Sequence, residues 1–378
     1  MTKKYDVAIV GMGIVGLAHA LAAARAGASV CVVDRERAQV GASVRNFGFV
    51  TVTGQQSGDC WRRAMRSRDV WMEVAPKAGI PVEHQGTLVP AQRPEAMAVL
   101  EAFARTPMGA DCRLLTSAEL RSKHGPILAD RDWQGALWSP HERRVESRHA
   151  IPKLAAWLEG AMGVEFRRRT LVKAVEPGRV VTTDGTIEAA HIAVCPGDDL
   201  RTLFPEVIDR LGITRCRLHM LKVMPVGAAF RLPGSIMSDQ SLVRYLGWSE
   251  LPEAAALKAR LIAEQKEWLD EGIHLIVVQG SDGGLIVGDS HHYEWSPSPF
   301  ARGRVDDLIL AEMHAVLNLP DARVTERWTG TYASLPDRLM IREDVGQGVR
   351  LVIVTSGTGA STSFAIGEET INDLFGEA

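Results

Sequence analysis

The first 34 residues constrain the fold more than any other part of the chain. Tyr5-Asp-Val-Ala-Ile-Val10 runs directly into Gly11-Met-Gly13-Ile-Val-Gly16, an alanine-rich stretch follows, and Ala28-Ser-Val-Cys-Val-Val33 ends at Asp34. The apolar run up to Val10 reads as a buried parallel strand. Gly11 permits a turn that a Cβ would obstruct. Gly13 lets the backbone approach a ligand, and Gly16 lets the following helix pack on the strand. A helix starting there aims its positive end and unpaired N–H groups at the turn, stabilising phosphate without any basic side chain. Asp34 closes the second strand, where a carboxylate accepts ribose hydroxyl protons and repels a 2′-phosphate. The stretch predicts a bound dinucleotide and disfavours NADP.

The rest of the composition narrows the partners. A chain of 378 residues is long enough for two domains. Its 43 basic and 46 acidic residues are interspersed for a net charge of −3, which sets no field for nucleic acid or an anionic membrane. Arg167-Arg168-Arg169 reads as a solvated strand edge. Cys31, Cys60, Cys112, Cys195 and Cys216 are odd in number and lack metal-ligand spacing, which fits a reducing cytoplasm. No apolar run reaches the length of a membrane span, and the start does not read as a targeting segment.

Along the chain, Gly41-Ala-Ser43-Val-Arg45-Asn46-Phe-Gly48 is a small-residue segment able to wrap a ligand. Trp61, Met65, Val70, Trp71 and Val74 recur at helical spacing, and so does Glu95–Phe103. His149–Leu158 reads as a helix. Val164–Phe166 and Thr170–Val172 read as strands, and Asp184-Gly185 reads as the turn of a hairpin. His191–Cys195 reads as a buried strand. Strands at Leu218–Met224, Leu275–Gln279 and Gly284–Val287 surround a helix from Pro252 to Asp270. Near the end, Leu351–Val354 leads into Thr-Ser-Gly357-Thr-Gly359-Ala360-Ser361-Thr362, a second strand, glycine turn and helix start that could face the same ligand.

In this order, the Gly11-Gly13-Gly16 turn with Asp34, the Gly41–Gly48 segment, Cys195-Pro-Gly197, Gly288-Asp289, Trp328-x-Gly330 through Pro336-Asp337 and the terminal glycine turn resemble the D-amino acid oxidase family of flavoproteins. The glycine oxidase and monomeric sarcosine oxidase branch is the more similar. The resemblance implies an α/β fold with a Rossmann-like, glutathione-reductase-like FAD-binding domain and an antiparallel-sheet α+β substrate domain. The segments 1–80, 145–211 and 325–378 would form the first, and 81–144 with 212–324 the second. It implies noncovalent FAD, with the pyrophosphate on Gly11, Gly13 and Gly16, the ribose on Asp34, and the phosphate-to-ring side on Ser43, Arg45 and Asn46. The adenine would meet the Val172 backbone, and the pyrimidine edge of the flavin would meet Gly357, Gly359, Ala360 and Ser361. There a helix N-terminus would stabilise the negative charge that hydride arrival creates. Ile14, Val15, Arg35, Gly197, Gly330 and Thr362 complete the implied set. The implied chemistry is oxidation of a C–N bond, hydrolysis of the imine and reoxidation by oxygen or another acceptor.

The sequence departs from these relatives at three places. Gly330 stands where sarcosine oxidases carry the flavin-linking cysteine, Ile286 where they carry a lysine that promotes reaction with oxygen, and Tyr332 where glycine oxidase carries its carboxylate-gripping arginine. The anion-binding device must therefore differ, and Tyr332, Tyr245, Arg244, Arg338 and His219 are the candidate substrate-contacting groups. A guanidinium makes two parallel charge-assisted bonds to a carboxylate or phosphonate. His291 and His292 are adjacent on a strand and point to opposite faces, so no metal site is expected there. Trp248 and Trp295 read as packing residues. Ser241–Tyr245, Tyr332–Ser334 and Gly288–His292 resemble a bacterial subgroup associated with aminophosphonate breakdown, which implies a small acidic amine such as 2-aminoethylphosphonate or its N-methyl derivative. An amine dehydrogenase, a noncatalytic FAD-binding subunit and an NAD-dependent dehydrogenase are the alternatives.

Overall fold

The structure is a computed structural model and describes residues 3–227, 230–319 and 321–376. Among the described residues the strands gather into two sheets. The first has at its centre four parallel partners in the order Val349–Val354, Gly185–Val194, Lys4–Val10 and Val30–Val33, with Glu165–Arg167 continuing it at one edge. The run Val7–Val10 is buried throughout because helices cover one face and a second apolar layer covers the other. Crossover from Lys4–Val10 to Val30–Val33 is made by the Ile14–Arg25 helix, whose alanines allow close packing. That helix lies against the last helix, Gly359–Gly376, and against Ser147–Met162.

The second sheet is antiparallel at every pairing except Ser235–Met237 on Val82–Ala91. Its spine is the long pair Thr214–Pro225 and Ala322–Ser334, in register from Thr214 opposite Ser334 to Lys222 opposite Glu326. Phe49–Val50 and the 325–334 stretch, both from segments expected in the FAD-binding unit, run in this second sheet. The chain therefore passes between the sheets close to the Gly41–Gly48 segment and again at 335–339, after the strand that carries Gly330. The expected mixed α/β architecture with one parallel and one antiparallel sheet is observed.

Three local expectations change. The helix expected from Pro252 to Asp270 is two helices, Ala254–Glu264 and Lys266–Asp270. Gln265 leaves helical geometry between them, because its side chain donates to Glu312 and accepts from Gln240 in a buried polar network. The strand expected to start at Thr170 begins at Val172. Trp248 is fully buried against Phe103, but Trp295 is exposed, as are its neighbours Tyr293 and Phe300.

Candidate active site

A cavity of about 340 Å³ lies where the two sheets meet. The first sheet contributes the end of the Val349–Val354 strand and the turn after it, and the second contributes Leu218, Ile276, Asp289 and the Gly330–Ser334 strand. The Ile14 and Gly359 helices both present their N-terminal residues to it: Ile14 and Val15 from one, Gly359, Ala360 and Ser361 from the other. Gly13 caps the first helix without a side chain, and the Ser43 hydroxyl accepts the Ile14 N–H at 2.9 Å.

The glycine turn has the geometry its residues imply. Gly11 has φ of +107°, and a Cβ on it would stand 2.3 Å from the Cys195 carbonyl oxygen. A Cβ on Gly16 would stand 1.9 Å from the Gly11 carbonyl oxygen, so helix and turn can meet only here without a side chain. At Gly13 a Cβ would fill the space in front of Ser43, at 3.0 Å from its Oγ. Asp34 holds the turn from behind, accepting the Met12 N–H at 2.7 Å and the Glu36 N–H at 2.8 Å. Two helix N-termini, a bare glycine cradle and a carboxylate at the end of the second strand fit a dinucleotide with its phosphates at the first helix.

The family profile described as FAD dependent oxidoreductase (DAO) matches residues 6–372, and the chain belongs to that family. The protein is an FAD-dependent oxidoreductase, and FAD is its cofactor. No curated protein matches the sequence significantly. Among solved structures, glycine oxidase from Bacillus cereus ATCC 14579 is similar at 17% identity over 99% of this chain and 96% of that one, with a TM-score of 0.77. L-proline dehydrogenase from P. horikoshii is similar at 17% identity over 99% and 94%, with a TM-score of 0.78. Iminodiacetate oxidase from Chelativorans sp. BNC1 is similar at 18% identity over 98% and 96%, with a TM-score of 0.72. These likenesses establish a shared fold.

The expected cofactor residues divide into three groups. Ile14, Val15, Ser43, Arg45, Asn46, Gly197, Gly330, Gly357, Gly359, Ala360 and Ser361 line the cavity. Gly11, Gly13, Gly16 and Asp34 form the turn beside it. Arg35 is exposed and pairs with Asp199 at 2.6 Å, Val172 is buried within the first sheet's hairpin, and Thr362 is buried with its hydroxyl on the Thr358 carbonyl. None of these three lines the cavity.

Of the substrate candidates, Arg244, Tyr245 and Tyr332 converge on the cavity. The Arg244 guanidinium donates to the Tyr293 hydroxyl at 2.8 Å, and among the described residues no carboxylate stands within ion-pair distance of it. Burial works against its charge, but the hydrogen bond to the Tyr293 hydroxyl and the Asp289 carboxylate help hold it cationic. Burial pushes the phenols of Tyr332 and Tyr245 above their ordinary range, so both are neutral donors. Tyr332 lies against Gly357, where a Cβ would come within 3.1 Å of its ring.

Arg338 and His219 do not join this group. Arg338 is half exposed, with Glu343 at 3.7 Å. His219 follows the cavity-lining Leu218 on the same strand, and alternation sends its ring to the opposite face, where Nδ1 lies 3.5 Å from Asp306. Ile286 is buried in the core of the second sheet, and among the described residues no lysine lines the cavity.

Sequence reasoning missed a cluster on the cavity wall. His291 and His292 do diverge: His292 pairs with Glu271 at 2.7 Å away from the cavity, while His291 meets Asp289 and His274. The ligand atoms of His274, Asp289 and His291 all lie within 4.8 Å of one another, and all three residues are buried. Asp289 and His291 are two apart on an extended segment and so share a face, a spacing that could have exposed this pair. Nothing near His274 in sequence points to it.

Proposed function

We propose that this protein oxidises the C–N bond of a small amine carrying an anionic group, giving an imine that hydrolyses to an aldehyde or oxo acid and an amine. The observation that carries this reading is Arg244, a cation at the cavity that donates to a phenol and, among the described residues, has no carboxylate within ion-pair distance, Asp289 acting on it only at longer range. A charged group so placed is costly unless a ligand anion completes it. The neutral Tyr245 and Tyr332 hydroxyls add donors, which suits a dianionic phosphonate such as 2-aminoethylphosphonate or its N-methyl derivative. Arg338 is left out of the constellation. Glycine oxidase, iminodiacetate oxidase and L-proline dehydrogenase, among the enzymes of similar fold, are named for amino acid or amine substrates, which supports the class of reaction.

FAD, when bound noncovalently, supplies the acceptor for the hydride from the carbon bearing the nitrogen. The Gly11–Gly16 turn and the Ser43 hydroxyl would hold its phosphates, and the Gly357–Ser361 turn would lie along its ring. The chain's own part in the reaction is to fix the acidic end of the substrate at Arg244, exclude water with the Tyr332 and Tyr245 rings, and keep the nitrogen unprotonated.

The test is anaerobic addition of glycine, sarcosine, D-alanine, 2-aminoethylphosphonate and N-methyl-2-aminoethylphosphonate to the yellow protein. Bleaching by a phosphonate, and weaker or no bleaching by the carboxylates, is expected. A flavin that no amine bleaches refutes amine oxidation. Readmitting oxygen then separates an oxidase, which recolours with peroxide release, from a dehydrogenase that recolours rapidly only with a quinone or dye. The dehydrogenase reading draws on Ile286 and on the absence of a cavity lysine among the described residues.

A further inference from the structure

The hydrogen bonds around His291 fix where its proton sits. Nδ1 lies 2.8 Å from the Gly272 carbonyl, which can only accept, so Nδ1 carries the hydrogen and Nε2 of the neutral ring presents a lone pair. That lone pair faces Asp289 Oδ2 at 3.6 Å. Two acceptors thus confront each other on the cavity wall. Asp289 Oδ1 is buried without a hydrogen bond; His274 Nε2 lies 3.1 Å from it but out of line. The His274 ring stacks on His291 at 5.1 Å, and its Nδ1 is tied to the Ser241 hydroxyl at 3.3 Å. A carboxylate and an imidazole lone pair aimed at one another leave a slot for something positive with hydrogens to give.

Resting on the amine-oxidation reading above, we propose that Asp289 and His291, braced by His274, form the seat of the substrate's ammonium group, and that His291 Nε2 removes its proton. The N–H bond of R–NH3⁺ breaks, its electron pair stays on nitrogen, and the proton passes to Nε2 to give an imidazolium beside the Asp289 carboxylate. The freed lone pair is the one that C–N oxidation needs. Asp289 stabilises the charge that the transfer creates and orients the ring.

The groups facing His291 make this base conditional. They are Asp289, His274, Arg244, Tyr293 and Tyr332. Burial, and after it the Arg244 charge, holds the free imidazole well below its ordinary range. Burial alone would raise the Asp289 carboxyl, but His291, His274 and Arg244 keep it below its usual range, so it is ionised at neutral pH. An anionic group docked on Arg244 cancels the repulsion that opposes a proton on His291. The acidic end of the substrate therefore raises the basicity of the residue that deprotonates its other end, and an amine without an acidic group meets a weaker base.

The experiment uses the full-length FAD-loaded protein and its Asp289→Asn and His291→Gln variants. Anaerobic bleaching by 2-aminoethylphosphonate is followed from pH 6 to pH 10.5. At pH 7 each variant is expected to bleach about 10²-fold more slowly than wild type, the ordinary contribution of a positioned base. Near pH 10.5, where roughly half of an alkylamine has lost its own proton, the deficit is expected to shrink to within about fivefold, a recovery that a purely structural defect would not produce. A second readout needs no turnover. Propylphosphonate, which has the anion but no amine, is titrated calorimetrically at pH 6 in two buffers of different ionisation enthalpy. Wild type is expected to take up more proton than His291→Gln, the difference cancelling the proton that the phosphonate itself gives up on binding. Wild type that bleaches alongside variants with an unchanged pH profile, or the same net proton exchange with propylphosphonate in wild type and His291→Gln, overturns this inference and leaves amine oxidation standing. Failure of the wild type to bleach with any amine refutes the reaction itself. Stoichiometric Zn²⁺ binding that Asp289→Asn abolishes overturns it in favour of a metal.

Discussion

Arg244 stands out because its neighbours are the wrong ones for a structural arginine. Most arginines near the surface of this chain pair with carboxylates, as Arg63 does with Glu369 and Arg93 with Asp239. Arg244 has Tyr293 instead, and the Asp289 charge contributes at longer range. Arg244→Met keeps the stem and removes the charge. It is expected to lower kcat/KM for an acidic amine by about 10²-fold, in line with roughly 3 kcal/mol for a charge-assisted pair. The loss should fall mainly on KM, because the anion is held equally before and during the reaction. Steady-state kinetics with an acidic amine and with an amine of the same length lacking the acid decide the matter: equal losses on both would mean that Arg244 only supports the fold.

At the level of elements, the two helices whose N-termini face the cavity hold one another in place. Gly367 in the last helix lies on Ala18 of the first, and a Cβ there would come within 2.8 Å of the Ala18 carbonyl carbon. The last helix is also tied to Asp59–Lys77, whose Trp71 indole donates to the Ala360 carbonyl at 2.8 Å and whose Ser67 hydroxyl accepts the Ala365 N–H. Gly367→Ala gains helix propensity of about 1 kcal/mol, but it forces backbone apart where nothing flexible can yield, a cost of about 1–3 kcal/mol or more. The clash should win, lowering the melting temperature and loosening FAD, since both N-termini move. Thermal melts with and without added FAD check this; an unchanged or raised melting temperature would mean that the helices separate freely.

Much of this framework could be read from the chain in advance, because it rests on local rules. Strand, glycine turn, helix and acid follow one another within 34 residues, and the expected hairpin forms, though its pairing of Thr182 with Gly185 sets Thr183 and Asp184 at the turn, one residue before Asp184-Gly185. The substrate wall was less legible. His274, Arg244 and the Asp289–Tyr293 segment lie apart in sequence, and only tertiary packing brings them together. His219 and Arg338 are of the right type but face elsewhere, which depends on strand phase and on a single ion pair rather than on composition. Gln265 breaks a helix whose own pattern is continuous, because its partners Gln240 and Glu312 are distant in sequence.

For the molecule as a whole, acid should act through histidines buried in a neutral state, among them one associated with each sheet. His19 is fully buried in the first helix with Nδ1 on the Val15 carbonyl at 2.7 Å, and burial lowers it to about 4. His84, in the second sheet, is lowered to about 3 by burial and by Arg144. In the unfolded chain both return to about 6.5, so below that pH the unfolded state binds protons that the folded state refuses. Stability from this source is complete above about pH 6.5 and is lost as pH falls toward the folded values. Between pH 7.5 and pH 5 each histidine should remove about 2 kcal/mol. Carboxylates held low, such as Glu165 at about 2, contribute little in that window because the unfolded chain is itself mostly ionised there. Urea unfolding at the two pH values should therefore reveal a loss to which the pair contributes about 4 kcal/mol, and His19→Gln or His84→Gln should each remove about 2 kcal/mol of that loss whatever the substitution does to absolute stability. A pH dependence identical in the variants would place the acid sensitivity elsewhere.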